Sequence, residues 1–164
     1  MSTKAVAIAR EDDRWGAYDL DPGELEDLDA LTDAMRDLGD GLVVAFVEED
    51  DEYLAIIRID EDSSDPRVFL SDRRVLATSD LAETLLSDAL PLPAPRDGDD
   101  DDEEESAAML HAQPIGDLDL LADLGTPATA LIDLISEEGM LPGDVIAAIS
   151  DRAGAGDILD EVRG

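Results

Sequence analysis

The spacing of apolar positions along the chain changes several times, and each change marks an element. In KAVAIAR (4–10), Val6 and Ile8 share one face while Ala5, Ala7 and Ala9 line the other. This two-residue alternation predicts a strand, and the alanine face is small enough for a helix to pack close. RWGAYDL (14–20) reads as a second strand across Glu11-Asp12-Asp13. The period then lengthens: Leu28, Leu31, Met35 and Leu38 fall on one helical face, and Glu26, Asp29, Asp33 and Asp37 on the opposite one. Asp21 as N-cap, Pro22 at the first helical position and Glu24 completing a capping box predict a helix over 22–38, stopped by Gly39.

Beyond it, residues 42–47 are continuously apolar and 53–59 nearly so, as suits strands buried on both faces. DPRVFLSD supplies a third strand, and the acid-rich turns at 48–52 and 60–66 are short enough for a meander. Val75, Leu76, Leu81, Leu85 and Leu86 predict a helical region ending before Pro91. The order ββαβββα predicts an α+β fold, with a five-stranded, mostly antiparallel sheet and helices on its faces. By element order alone this resembles the small profilin-like and roadblock-like sandwiches.

From Pro91 the pattern stops. PLPAPRDGDDDDEEES (91–106) has nothing to bury, and its neighbouring carboxylates repel one another, so it reads as an extended acidic linker. Apolar residues then return at helical spacing: Leu118, Leu121 and Leu124 before Gly125; Leu131, Leu134 and Ile135 after Thr126-Pro127 and before Gly139; Val145, Ile146 and Ile149; and Ile158, Leu159 and Val162. Helices this short are marginal alone, so they are expected to pack on one another or on the sheet. The expected organisation is an α+β sandwich domain at 1–90, a disordered acidic linker at 91–108 and a helical C-terminal segment at 109–164.

Charge narrows the function. The 164 residues carry 44 acids against 11 bases, a net charge of −33. The run at 97–105 contributes only eight of those acids, so both flanking regions are acidic by themselves. Direct nucleic-acid binding requires clustered Lys or Arg to displace counterions, so none is expected; a basic protein partner is favoured instead. No apolar stretch approaches the roughly 18 residues that span a bilayer, and MSTKAVAIAR is too short and too weakly apolar for a signal peptide. These features point to a soluble cytoplasmic protein.

Candidate chemistry is sparse. Cysteine is absent and there is one histidine, His111, beside the acidic run, where a solvated linker residue is expected. Asp97, Asp99 and Asp101 match the first ligand spacing of a calcium loop, but Asp102 stands where the loop needs glycine. Asp60-x-Asp62-x-Ser64 fails similarly, with Asp65 at the glycine position. Gly154 and Gly156 lack any phosphate-loop context. No catalytic, metal or cofactor residues are assigned.

The phrases RWGAYDLD, LVVAFVEEDDEYLAIIRID and DPRVFLSD, followed by LAETLLSD, PIGDLDLLADLG and AGDILDEVRG, resemble the bacterial tRNA adenosine deaminase-associated proteins. That family is named for genes lying beside a tRNA adenosine deaminase gene, and the resemblance brings no catalytic residues. A zinc deaminase needs H-x-E and P-C-x-x-C; with no cysteine, and with its histidine in HAQ (111–113), this chain is not the deaminase.

Taken with the acidity of the chain, the resemblance points to a non-catalytic accessory that binds a tRNA adenosine deaminase or another basic protein. The expected contact residues are Glu26, Asp29, Asp33 and Asp37 on the helix, with Asp99, Asp100, Asp101, Asp102, Glu103, Glu104 and Glu105 in the run. Two other readings stay open. In one, carboxylates fixed on rigid elements mimic nucleic-acid phosphates. In the other, the sheet carries an apolar cleft for a small molecule or peptide.

Overall fold

The computed structural model describes residues 3–12, 14–20, 27–39, 41–49, 53–60, 66–72, 80, 83–84, 115–136 and 141–163. Five long strands form: β1 (Thr3–Glu11), β2 (Arg14–Leu20), β3 (Leu42–Glu49), β4 (Tyr53–Ile59) and β5 (Arg67–Leu70). A two-residue strand, β6 (Ile115–Gly116), lengthens the sheet by one, and its brevity left no periodic signal in the sequence. The order is β2-β1-β3-β4-β5-β6, and all five pairings are antiparallel. β3, β4 and β5 thus form the predicted meander, but β3 runs on to Glu49, so Glu48 and Glu49, read as part of a turn, pair with Leu54 and Tyr53 of β4. Residues 50–52 and 61–65 lie outside the described residues.

The alternation read from residues 4–10 decides which layer goes where. Ala5, Ala7 and Ala9 share a cluster with Val43, Ala45, Ala55 and Ile57, under Leu31 and Met35 of helix α1 (Leu28–Leu38). Val6 and Ile8 face the other way, with Val44, Phe46, Leu54, Ile56 and Phe69. β3 and β4 are buried along their whole length, chiefly through their apolar runs, with Glu48, Glu49 and Arg58 buried beside them.

α1 begins later than its capping signals imply. Asp27 is the N-cap, with extended backbone (φ −157°, ψ 177°), and its Oδ1 accepts from the N–H of Ala30 at 2.7 Å. A helix running from Pro22 cannot pass through that conformation, so the predicted 22–38 is corrected to 28–38. Residues 21–26 lie outside the described residues. Gly39 does end the helix, but with extended rather than left-handed backbone (φ 174°).

The predicted helix after DPRVFLSD also falls mostly outside the described residues; of it, Asp80, Glu83 and Thr84 are helical. The acidic run at 97–105 lies outside them entirely.

The C-terminal elements cover the second face of the sheet. A 3₁₀ turn (Ala122–Leu124) leads to α2 (Ala128–Ser136), α3 (Pro142–Ala153) and α4 (Gly156–Arg163). Leu120, Leu121, Leu131, Val145, Ile146, Ile149 and Leu159 are buried in one cluster with the Val6–Ile8 face. Fully burying one such side chain contributes roughly 1.5–3 kcal/mol, so apolar contact dominates this docking.

Gly154 lets α3 turn directly into α4. It is left-handed (φ 90°) and its N–H reaches back to the Asp151 carbonyl, while the Ala155 N–H reaches Ser150 at 2.8 Å. Gly154 is thus the stop of α3, and Gly156 begins α4.

Candidate partner-docking surface

The residues predicted to meet a partner divide by whether the fold describes them. Asp29, Asp33 and Asp37 are exposed on α1, opposite the buried Leu31, Thr32 and Met35. Four-residue spacing on a helix sets successive members about 6 Å apart along the axis. Arg36 approaches Asp33 only to 3.8 Å, an exposed contact that leaves the face acidic. Glu26 and Asp99–Glu105 lie outside the described residues, so no geometry joins them to this face.

The outer surface of the C-terminal layer is acidic too. Asp133 on α2, Asp144 and Asp151 on α3, and Asp157, Asp160 and Glu161 on α4 are all exposed. The charge is therefore carried on fixed elements of both helical layers.

A shallow cleft of about 550 Å³ opens where α1 ends beside the β1-β2 hairpin. Ala9 and Gly16 are cross-strand partners and both line it. Leu38 and Tyr18 also line it, with Glu11, Asp12 and Arg14 bringing charge. Gly16 matters because the Tyr18 ring lies back over it: a Cβ at Gly16 would stand 2.8 Å from the Tyr18 hydroxyl. Asp12 at the hairpin tip has a positive φ of 50°, a conformation aspartate tolerates better than most residues. This is a charged surface recess at the sheet edge, not an apolar cleft between layers.

Two arginines missed by pattern reading hold the C-terminal layer in place. Arg58 and Arg67 are directly paired across β4 and β5, at the end of a row that begins Ala17, Ile8, Val44. Each meets an aspartate from the segment preceding α2. Arg58, 5% exposed, donates from Nη1 and Nη2 to the two carboxylate oxygens of Asp123, at 2.5 and 2.8 Å. It also donates to the Leu120 carbonyl and, from Nε, to Asp60 at 2.8 Å. Arg67 donates to Asp117 at 2.6 Å.

The guanidinium of Arg58 holds the Asp123 carboxyl below its ordinary range, and Arg67 does the same to Asp117. The return effect raises Arg58, chiefly through Asp123. These groups are consumed by structure. Asp60, which began a calcium-like spacing, is one of Arg58's partners, and among the described residues no cluster of acids or histidine is arranged to hold a metal ion. The clue in sequence was an arginine inside an otherwise apolar strand, since a buried guanidinium needs acceptors.

Trp15 ties the hairpin to the same layer. Its indole N–H donates to the Ala153 carbonyl at 3.0 Å, and the Arg10 guanidinium lies over its ring at 5.5 Å from the centroid. Among the described residues no helix is long and apolar enough to cross a membrane.

An antiparallel sheet between two helical layers, with acidic outer faces, defines the chain as an α+β sandwich. Comparison supplies the family: the profile of the Rv3753c-like tRNA adenosine deaminase-associated proteins matches residues 3–156, and the chain belongs to that family. Protein Rv3753c of Mycobacterium tuberculosis (strain ATCC 25618 / H37Rv) is 30% identical over 160 residues, covering 96% of this chain and 85% of that protein. No solved structure matches the chain. The family is one of deaminase-associated proteins, and this chain is not itself the deaminase.

Proposed function

We propose that this protein is a non-catalytic accessory that docks on the basic, tRNA-facing surface of a tRNA adenosine deaminase. The observation that carries the reading is the placement of charge: a net −33, with exposed carboxylates on the outer helices of both faces. An enzyme that binds tRNA presents Lys and Arg to phosphates. Such a surface complements this one, and complementary fields raise the rate of encounter. The acidic run at 97–105 adds eight negative charges to the same attraction.

A competition assay tests it. Labelled tRNA is bound to the deaminase of the same organism, and this protein is added at low salt. Displacement of tRNA supports docking on the tRNA-facing surface. A ternary complex that keeps its tRNA contradicts it.

A second reading has its own support. Asp29, Asp33 and Asp37 stand at regular spacing on a packed helix, as a phosphate mimic toward some other basic protein would require. Deleting 97–105 discriminates the two: a mimic built on α1 keeps its affinity, whereas a mask assisted by the run loses part of it.

A further inference from the structure

We propose that the outer edge of β2 accepts an extended segment of the basic partner as an added antiparallel strand. This rests on the reading that the partner is a basic protein, and specifies where and in what conformation it binds.

β2 pairs with β1 and is, among the described residues, the last strand on its side of the sheet. Residues 14–19 are all at least partly exposed, whereas Ala5–Ala9 of β1 are all buried. The strand contains no proline, so its backbone can pair along its whole length.

The register identifies the free groups. Glu11 and Arg14 close a two-residue connection, so they exchange both backbone hydrogen bonds. Alternation then turns Gly16, Tyr18 and Leu20 inward to β1, and Trp15, Ala17 and Asp19 outward. By this alternation the N–H and C=O groups of those three residues point away from β1 and have no partner strand among the described residues, a template for another strand.

The surroundings select the occupant. α4 packs against β2 and exposes Asp157, Asp160 and Glu161. On the opposite face the cleft brings Glu11, Asp12 and Arg14 to the side of the strand, and Arg10 lies over the Trp15 ring, so the acids around the edge outnumber these two bases. Asp19 is exposed on the strand itself. An added strand therefore lies between two sources of negative charge, which favours alternating Lys or Arg. A second copy of this chain would bring its own −33 to the same edge, so like-charge repulsion opposes that pairing.

The edge is also held ready. The Trp15 indole bond to Ala153 fixes β2 to the C-terminal layer from one side. The Tyr18 ring over Gly16 gives the other side a flat aromatic wall. A strand arriving here meets a preorganised partner and loses less entropy on pairing.

Amide hydrogen exchange on the intact protein tests this with two probes. One is a ten-residue peptide of alternating lysine and valine. The other is the same peptide N-methylated at every residue, which keeps its charge but cannot pair on either edge. At low salt the first should slow exchange at the Trp15, Ala17 and Asp19 amides at least tenfold, and the second should leave them unchanged.

Equal effects of both peptides would overturn strand addition while leaving a charge-driven basic partner standing. Binding of neither would overturn both. Protection of the same amides without peptide, growing with protein concentration, would assign the edge to a second copy and overturn the basic occupant.

Discussion

Arg58 and Asp123, separated by 65 positions in the chain, meet as a two-pronged ion pair between the middle of the sheet and the turn before α2. The guanidinium is 6% exposed at its side chain and the carboxylate 57%, so the pair sits at the mouth of the interlayer core. Its energetic weight is asymmetric. The aspartate can return to water, but the arginine cannot leave without opening the layer.

Asp123→Ala is therefore expected to destabilise the fold by about 1–3 kcal/mol, because Arg58 keeps Asp60 and the Leu120 carbonyl but loses its bidentate partner. Arg58→Met, which fills the space without the charge, should cost less than Arg58→Ala. Urea unfolding of the three variants checks the ranking. If Arg58→Met proved the most damaging, the arginine would be supplying more than packing and position.

Acid should weaken this junction in a defined direction. Asp117 and Asp123 titrate below their ordinary range in the folded protein because Arg67 and Arg58 bond their ionised forms. Their contribution is thus complete above the unfolded value near pH 4 and is lost as pH falls through the lower folded values. The stability difference between the native protein and an Asp117→Asn/Asp123→Asn variant should shrink steadily below pH 4. The comparison is needed because the other carboxylates repel one another, and protonating them acts in the opposite sense.

Gly154→Ala isolates a backbone effect. Nothing lies within 4 Å of an added Cβ there, yet φ is +90°. The substitution should cost about 1–2 kcal/mol through the left-handed conformation alone. A thermal melt that did not move would mean the α3-α4 turn adopts another conformation.

Trp15 is the only tryptophan, and its bond to Ala153 spans the sheet edge and the C-terminal layer. Its fluorescence should therefore report release of that layer. In urea, the fluorescence and far-ultraviolet dichroism transitions should coincide if the shared core makes the unit cooperative. An earlier fluorescence transition would show the helices leaving first.

How much of this was legible in the sequence depends on the range of the cause. Strand β2 at 14–20, β4 at 53–59 and the division of Ala5, Ala7 and Ala9 from Val6 and Ile8 follow from alternation within a few residues. The start of α1 did not, because Asp21-Pro22 and Asp27 both offer local capping chemistry and only the folded backbone chooses Asp27. The Arg58–Asp123 and Arg67–Asp117 pairs join positions 50 or more apart, and no spacing rule connects them. The exposed acids of α1 were readable from helical periodicity, whereas the open edge of β2 required knowing the strand order.

On the proposed reading, charge brings this protein to a tRNA adenosine deaminase. Calorimetric titration of the two proteins from the same organism, at 50 mM and again at 500 mM salt, tests it most directly. Docking through charge should give tight association at low salt that weakens steeply at high salt, since the Debye length falls roughly threefold over that range. Association unaffected by salt would move the interface to apolar surface, and no association at either salt would contradict the account outright.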